Sequence, residues 1–297
     1  MKNYPIILLV LGTLFSCTDK DMKYDASGVF EATEVMVSAK SAGELLQFDI
    51  LEGQNLKAYE TVGYIDTIQL YLQKEQLEAN LLSVESRHYD VSTQIASIRQ
   101  QISTQKKEQK RFEDLVRNNA ANQKQLDDIN EQIKLLEKQL SAKEETLTKG
   151  NESVYGDIKS LTAQIELIKD QIKKSIICSP INGTVLTKYM EKGELAVQGK
   201  ALFKVADMEN IYLRAYITAD QLTTLKIGQK VKVYADQGKS DRKEYNGTVT
   251  WISDKAEFTP KTIQTRDERA NLVYAVKVMV RNDGYIKRGM YGELKIN

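Results

Sequence analysis

Histidine occurs once in this chain, at His88, and tryptophan once, at Trp251; there are three prolines and two cysteines in 297 residues. One histidine cannot build a multi-histidine metal site, and no dense Cys/Asp/Glu cluster accompanies it. No GxSxG or HExxH sequence is present. The chain is therefore expected not to be an enzyme and to need no cofactor. Charge of one sign is also missing: 42 basic residues face 41 acidic ones, a net charge of +1, which leaves no basic field for a nucleic-acid partner. Long apolar runs are missing too. The stretch from Ile6 to Leu14 is about half of the ~20 residues a membrane helix needs.

That short stretch follows Lys2 and ends at Leu14-Phe15-Ser16-Cys17, a pattern that fits a signal peptide. A cysteine at the boundary predicts a lipoprotein signal over residues 1–16, with Cys17 as the lipidated first residue of the mature chain. Two or more acyl chains anchor a protein to a membrane without a transmembrane helix. Cys178 is then the one thiol left, so no intrachain disulfide is expected. It lies in the apolar run SIICSPINGTV, as a buried and inert residue would.

What the chain has in quantity is helix-forming, heptad-patterned sequence. Neither Pro nor Gly occurs between Gly63 and Gly150. Leu70, Leu77, Val84, Val91, Ile98 and Phe112 form one seven-residue series; Leu81, Ile95, Ile102 and Val116 form a second. These are the a and d positions of a coiled coil. The pattern pauses at residues 117–122 and resumes with Leu126, Ile133, Leu140 and Leu147, joined by Ile129 and Leu136. One short polar turn between two such helices predicts an antiparallel hairpin over residues 67–176, with its tip near 117–122. Around Gly150, Asn151 and Gly156 the second helix weakens. Ile158, Ile165 and Ile172 then follow in a shifted frame, predicting a kink or small loop there. Lys74, His88, Gln105 and Gln109 occupy seam positions, and His88 reads as a register-setting polar residue.

The rod interrupts two strand-rich segments of matching pattern. Residues 42–66 read AGELLQFDILEGQNLKAYETVGYID and residues 182–207 read NGTVLTKYMEKGELAVQGKALFKVAD. Alternation with glycine-marked turns in both predicts the two halves, 33–66 and 177–206, of one β-domain. A further strand-rich stretch occupies 207–297, with a short helix expected over Ala219–Leu225. Residues 17–32 remain as a linker.

With rod, split β-domain and lipoprotein start in place, the chain resembles the HlyD-type membrane fusion proteins, the periplasmic adaptors of tripartite exporters. The resemblance covers nearly everything after the signal. It implies an α+β architecture: a coiled-coil α-hairpin inserted into a lipoyl- or biotinyl-like β-sandwich, followed by a small β-barrel in which NIYLRAYITADQLTTLKIGQKVKVYAD and GYIKRGMYGELKIN are strands. The stretch SDKAEFTPKTIQTRDERANLVYAVKV resembles the barrel loop of the branch associated with ABC exporters. At the tip, KRFEDLVRNNAANQKQLDD resembles adaptors that meet TolC-like channels, which carry Arg, Leu four residues on and Ser seven further. Arg111 and Leu115 match, and Asn122 stands where the family has Ser. Without the tip placement, Arg111 is a solvated flank and Leu115 closes the seam; with it, Arg111, Leu115 and Asn122 are candidate channel contacts.

The resemblance implies a periplasmic, lipid-anchored adaptor, a ring of several copies, joining an inner-membrane transporter of the ABC permease type to a TolC-like outer-membrane channel. An adaptor of an RND- or MFS-type pump and a structural periplasmic coiled-coil lipoprotein are the alternatives. An enzyme-type carrier domain is disfavoured, because the rod occupies the hairpin that would display the modified lysine.

Overall fold

Period-two and period-seven segments separate cleanly along the chain. The computed structural model describes residues 24–238, 241–257 and 272–296. Four strands come first: β1 (Ala26–Ser38), β2 (Gly43–Phe48), β3 (Asn55–Leu56) and β4 (Thr61–Ile65). Three helices follow, α1 (Ile68–Glu85), α2 (Val91–Arg117) and α3 (Gln123–Lys174). The chain continues through β5 (Ile176–Cys178), β6 (Gly183–Lys188), β7 (Leu195–Ala196), β8 (Ala201–Thr218) and the one-turn helix α4 (Ala219–Leu222). It ends with β9 (Lys230–Gln237), β10 (Asp241–Ile252), β11 (Val273–Arg281) and β12 (Tyr291–Lys295). Two compact units result: of the described residues, one takes those up to 35, 181–184 and those from 205 onward, and the other takes 36–180 and 185–204.

The first unit is a β-barrel with strand order β1-β12-β9-β10-β11-β8. Alternation decides its core: Ile211, Leu213, Ala215 and Ile217 of β8 all point inward with no exposed surface, as do Val276, Val278 and Val280 of β11. Residues 26–32, expected in a linker, lie in β1, which pairs with β12 from Ala26↔Leu294 to Val29↔Tyr291. The reason is packing. Phe30 is fully buried in this core, and a Cβ on Gly28 would stand 2.0 Å from the Arg214 carbonyl oxygen, so only glycine lets β1 approach β8.

In the second unit the two predicted half-segments exchange backbone hydrogen bonds reciprocally. Gly53 N–H donates to the Val185 carbonyl and Gly193 N–H to that of Leu45, both at 2.8 Å. Tyr59 N–H donates to Ser179 (2.7 Å) and Gly199 N–H to Ala39 (2.8 Å). Each residue maps onto its counterpart by adding 140: 45 and 185, 53 and 193, 39 and 179, 59 and 199. The two segments are thus one motif used twice about an internal pseudo-two-fold, and the core follows the same rule. Leu45 pairs in kind with Val185, Ile50 with Met190, Leu56 with Ala196 and Val62 with Leu202, all buried. Phe48 and Phe203 meet with ring centroids 6.0 Å apart.

The helices leave and rejoin this β-domain at neighbouring strands. β4 pairs with β5 (Tyr64↔Ile176), and Ile65 N–H donates to the Ser175 carbonyl at 3.0 Å. From that base α3 runs unbroken for 52 residues, about 78 Å at 1.5 Å per residue. Both α1 and α2 pack against it. Cross-links between the arms fix an antiparallel sense, because partner numbers fall as residue numbers rise: Arg99 pairs with Glu144 (2.9 Å), Lys106 with Glu137 (2.7 Å) and the Gln109 amide with Asn130 (2.7 Å).

The interruption expected near Gly150 lies instead in the opposite arm, between α1 and α2. Two features explain the exchange. The Asp90 carboxylate caps α2, accepting from the Thr93 backbone (3.3 Å) and from the Ser92 and Thr93 hydroxyls (2.7 and 2.6 Å); this capping outweighs a continuous helix. In α3, Leu147, Val154 and Leu161 keep the seven-residue series in frame through both glycines, and Leu147 and Val154 are buried. Only the companion series moves, from Ile129 and Leu136 to Ile158, Ile165 and Ile172, a stutter that the helix absorbs without breaking. Asn151 serves the break across from it. Its Oδ1 accepts from Tyr89 N–H (2.8 Å) and its Nδ2 donates to the Tyr89 carbonyl (2.9 Å). Gly150 leaves room for the Tyr89 ring, 3.3 Å from where a Cβ would sit. His88, expected in the seam, is exposed within this break.

Two outcomes follow from the joint. Asn151→Ala removes both bonds to Tyr89 and should lower stability by about 1 kcal/mol, read by urea unfolding, with faster amide exchange at Tyr89. Asp90 is held down to about 2, first by its bond from the Thr93 hydroxyl. Because this pKa is depressed, the cap is fully present above the ordinary carboxylate value near 4 and lost as pH falls through about 2. An Asp90 carboxyl-carbon NMR titration should show its midpoint near 2, and Thr93→Val should move that midpoint upward.

Candidate functional site at the helical tip

The coiled-coil seam thins towards its far end. Ile95, Ile102, Ile133 and Leu136 are buried between α2 and α3, whereas Phe112, Leu115, Val116, Leu126 and Ile129 nearer the tip are only half-buried. Between them the seam turns polar, at half-buried Gln105 and at the Gln109–Asn130 pair. A two-helix tip has no third element to cover such residues, so part of their apolar surface stays in water.

The turn itself is built by asparagines. Asn118 ends α2, its N–H reaching the Asp114 carbonyl at 3.2 Å. Asn119 takes φ +55°, the left-handed region that asparagine enters more readily than other side chains. That step turns Ala120 N–H onto the Leu115 carbonyl at 2.8 Å. Asn122 then starts α3: its Oδ1 accepts from Lys124 N–H at 3.0 Å. The pause in the heptad pattern at 117–122 marks this turn, while the role of Asn119 is not evident from that pattern. The signal available was an Asn pair directly after the last apolar seam residue, the position where a left-handed helix end falls.

The three candidate residues differ in what they have free. Arg111 is two-thirds exposed; it makes one loose ion pair with Glu108 (3.6 Å) and lies 5.9 Å from the centre of the Phe112 ring. A pair so exposed contributes little to stability, so the guanidinium keeps donors for carbonyl or carboxylate groups of another protein. Leu115 is half-buried against the turn, its carbonyl used and its side chain partly in water. Asn122 is exposed, but its side-chain oxygen is committed to the cap, leaving only the amide nitrogen. The structure brings all three to one end of the hairpin, on either side of the turn.

Two other expected features lie outside the described residues: Cys17, and most of the barrel loop, at 258–271. Arg214, Lys277 and Trp251 form a row across β8, β11 and β10 on the outer barrel face. Arg214 pairs with Glu257 (3.3 Å) and Glu31 (3.8 Å), and Lys277 stacks on Trp251 with Nζ 5.9 Å from the ring centre. Among the described residues no group of three or more His, Cys, Asp or Glu is placed to hold a metal ion, and no helix is long and apolar enough to cross a membrane.

Because the Asn122 side chain works as a cap, Asn122→Ser should leave thermal stability nearly unchanged, whereas Asn122→Ala should cost about 1 kcal/mol, read from unfolding midpoints.

No protein-family model matches the sequence. Solved structures do match it in fold. MacA from Actinobacillus actinomycetemcomitans aligns with a TM-score of 0.55 at 18% identity, over 91% of this chain and 76% of its own. A MacA–MexA chimera containing the Pseudomonas aeruginosa MexA α-hairpin domain aligns at 0.55 and 19% identity, over 92% and 81%. The membrane fusion protein Spr0693 from Streptococcus pneumoniae R6 aligns at 0.53 and 16% identity, over 91% and 97%. With 91–92% of its length aligned, the chain has the fold of the membrane fusion proteins.

Proposed function

We propose that this chain is a non-catalytic periplasmic adaptor. It joins an inner-membrane exporter of the ABC type to a TolC-like outer-membrane channel for efflux or secretion. Several copies stand side by side as a ring, held to the membrane by a lipid on Cys17. The division of labour is that of the resemblance: a lipoyl-like β-sandwich over 33–66 and 177–206, an α-hairpin over 67–176 that reaches the channel, and a barrel from 207 onward that meets the transporter.

One observation carries this reading. The rod is fixed at a single end, where β4 and β5 are hydrogen-bonded neighbours, while its other end presents half-buried Leu115 and a weakly engaged Arg111 to solvent. A hairpin needed only for stability would gain nothing from about 78 Å of solvated length. A partly exposed apolar anchor and a weakly engaged guanidinium at one end are what a protein interface uses at its centre.

The test is site-specific photo-crosslinking in intact cells, with one probe at Leu115 and another at Trp251, followed by identification of the captured proteins. The expected result is an outer-membrane channel at Leu115 and an ABC permease at Trp251. Arg111→Ala should reduce capture at the tip roughly thirtyfold, as loss of a central contact of about 2 kcal/mol would. Self-capture alone at both probes, at normal abundance, would overturn the adaptor reading and leave a structural coiled coil. Capture of another pump class at Trp251 would overturn the ABC assignment alone.

A further inference from the structure

The break between α1 and α2 has no covalent cause. Residues 86–90 read Ser-Arg-His-Tyr-Asp, with neither proline nor glycine. Among the described residues, positive φ outside glycine occurs only at Tyr59 and Asn119, so no residue of the break is forced into the left-handed region. Helical bonding even runs on past α1. Ser86 N–H reaches the Leu82 carbonyl at 3.1 Å, Arg87 N–H that of Val84 at 3.0 Å, and His88 N–H that of Glu85 at 3.1 Å. Asp90 is where the backbone departs, at φ −77° and ψ 97°. Its φ is already close to that of a helix, so at this residue one torsion, ψ, separates the two conformations.

The heptad frame ignores the break. Leu77 and Val84 of α1 step in sevens to Val91 and Ile98 of α2, and Leu81 leads through His88 to Ile95 and Ile102. Apart from His88, all of these are buried or half-buried, in two helices that both pack on α3. No residue is inserted or lost between them. A helix continued through 86–90 would therefore turn the same side chains to α3 and bring His88 into the seam. What opposes that continuation is tertiary: the two Asn151–Tyr89 hydrogen bonds and the Asp90 cap on Ser92 and Thr93. What favours it is the run of backbone bonds that an unbroken helix restores at the start of α2. Both sides amount to a few hydrogen bonds, so neither dominates.

We infer that residues 86–90 are a two-state element. The arm exchanges between the spliced form, with Tyr89 held by Asn151, and one unbroken helix from Ile68 to Arg117 with His88 in the seam. Anything that binds the rod more tightly in one form shifts the balance by that difference in affinity. The inference concerns the rod alone and does not depend on the partners proposed for its two ends.

Val91→Pro separates the two forms. Val91 is the first residue of α2, a position that accepts proline, and Asp90 before it is already extended, as the residue preceding a proline prefers. In the unbroken helix the same proline is internal and disfavours that form more than about a hundredfold. The opposite variant, His88→Leu with Asn151→Leu, removes the clamp on Tyr89 and supplies an apolar seam layer. In the full chain carrying both leucines, the carbon-13 shifts of residues 86–90 should become helical, and adding Val91→Pro should return them to their wild-type values. In the wild-type chain, NMR relaxation dispersion at Tyr89, Asp90 and Val91 should report a minor form of about 1% or more, with the shifts of the double-leucine variant. Val91→Pro alone should abolish that dispersion without lowering the melting temperature. Non-helical shifts at 86–90 in the folded double-leucine variant would overturn the inference. So would a wild-type chain without dispersion, or dispersion that survives Val91→Pro; these two results decide the matter even if the double-leucine variant does not fold.

Discussion

Everything in the second unit depends on an exchange of backbone hydrogen bonds between two segments 140 residues apart. Neither half can satisfy its own turns: Gly53 needs the Val185 carbonyl, and Gly193 needs that of Leu45. Leu45 and Val185, whose carbonyls accept these bonds, are buried in the core with Phe48, Leu202 and Phe203, where an unpaired backbone carbonyl would be costly. The halves must therefore meet. As a flexible loop, the roughly 110 intervening residues would oppose that by about 4 kcal/mol of closure entropy. The helical hairpin removes most of this cost. Antiparallel pairing of α3 with α1 and α2 brings residues 67 and 175 together by local, zipper-like contacts. The β-domain then closes over a base already formed.

The barrel follows the same logic with different means. Its first strand and its last are neighbours, tied by the Asp25 carboxylate accepting Ile296 N–H at 2.7 Å and by Asp25 N–H on the Leu294 carbonyl at 2.9 Å. Residues from both extremes of the described chain thus share one core around Phe30. Strand β1 serves the barrel with residues 26–35 and the β-domain with residues 36–38.

Much of this was legible in the residues, and the misses have physical causes. Heptad spacing located both arms because burial in a two-helix seam depends on that spacing alone. The repeated pattern around Gly53 and Gly193 is legible because both segments build the same turn, each glycine donating its N–H to the other segment. Helix propensity alone puts the interruption at the glycines, which is not where it lies. In α3, seam burial at Leu147 and Val154 outweighs the roughly 1 kcal/mol a helical glycine costs. In the other arm, Asp90 with Ser92 and Thr93 is a capping signal that hydrophobic periodicity does not register. His88 lost its seam role with that break. Residues 26–32 carry no strand signal, because one buried aromatic, Phe30, and one tight approach, at Gly28, leave little pattern in so short a run. At the tip the turn was located, but the division between a capping Asn122 and a less engaged Arg111 needed coordinates, since it depends on where each side chain's hydrogen-bonding groups are used.

The joint at Ser86–Asp90 also gives the rod a mechanical character. One arm is a single 52-residue helix; the other is spliced, and the splice is held by the two Asn151–Tyr89 hydrogen bonds and by the cap on α2. Bending compliance in such a beam concentrates at the splice, with the continuous helix acting as a leaf spring. Beyond it lie the 27 residues of α2, a lever of about 40 Å, so that a flexure of roughly 10° swings the tip by about 7 Å. The base can then stay rigid while the far end accommodates small misalignments, a property that a rod made of two unbroken helices would lack.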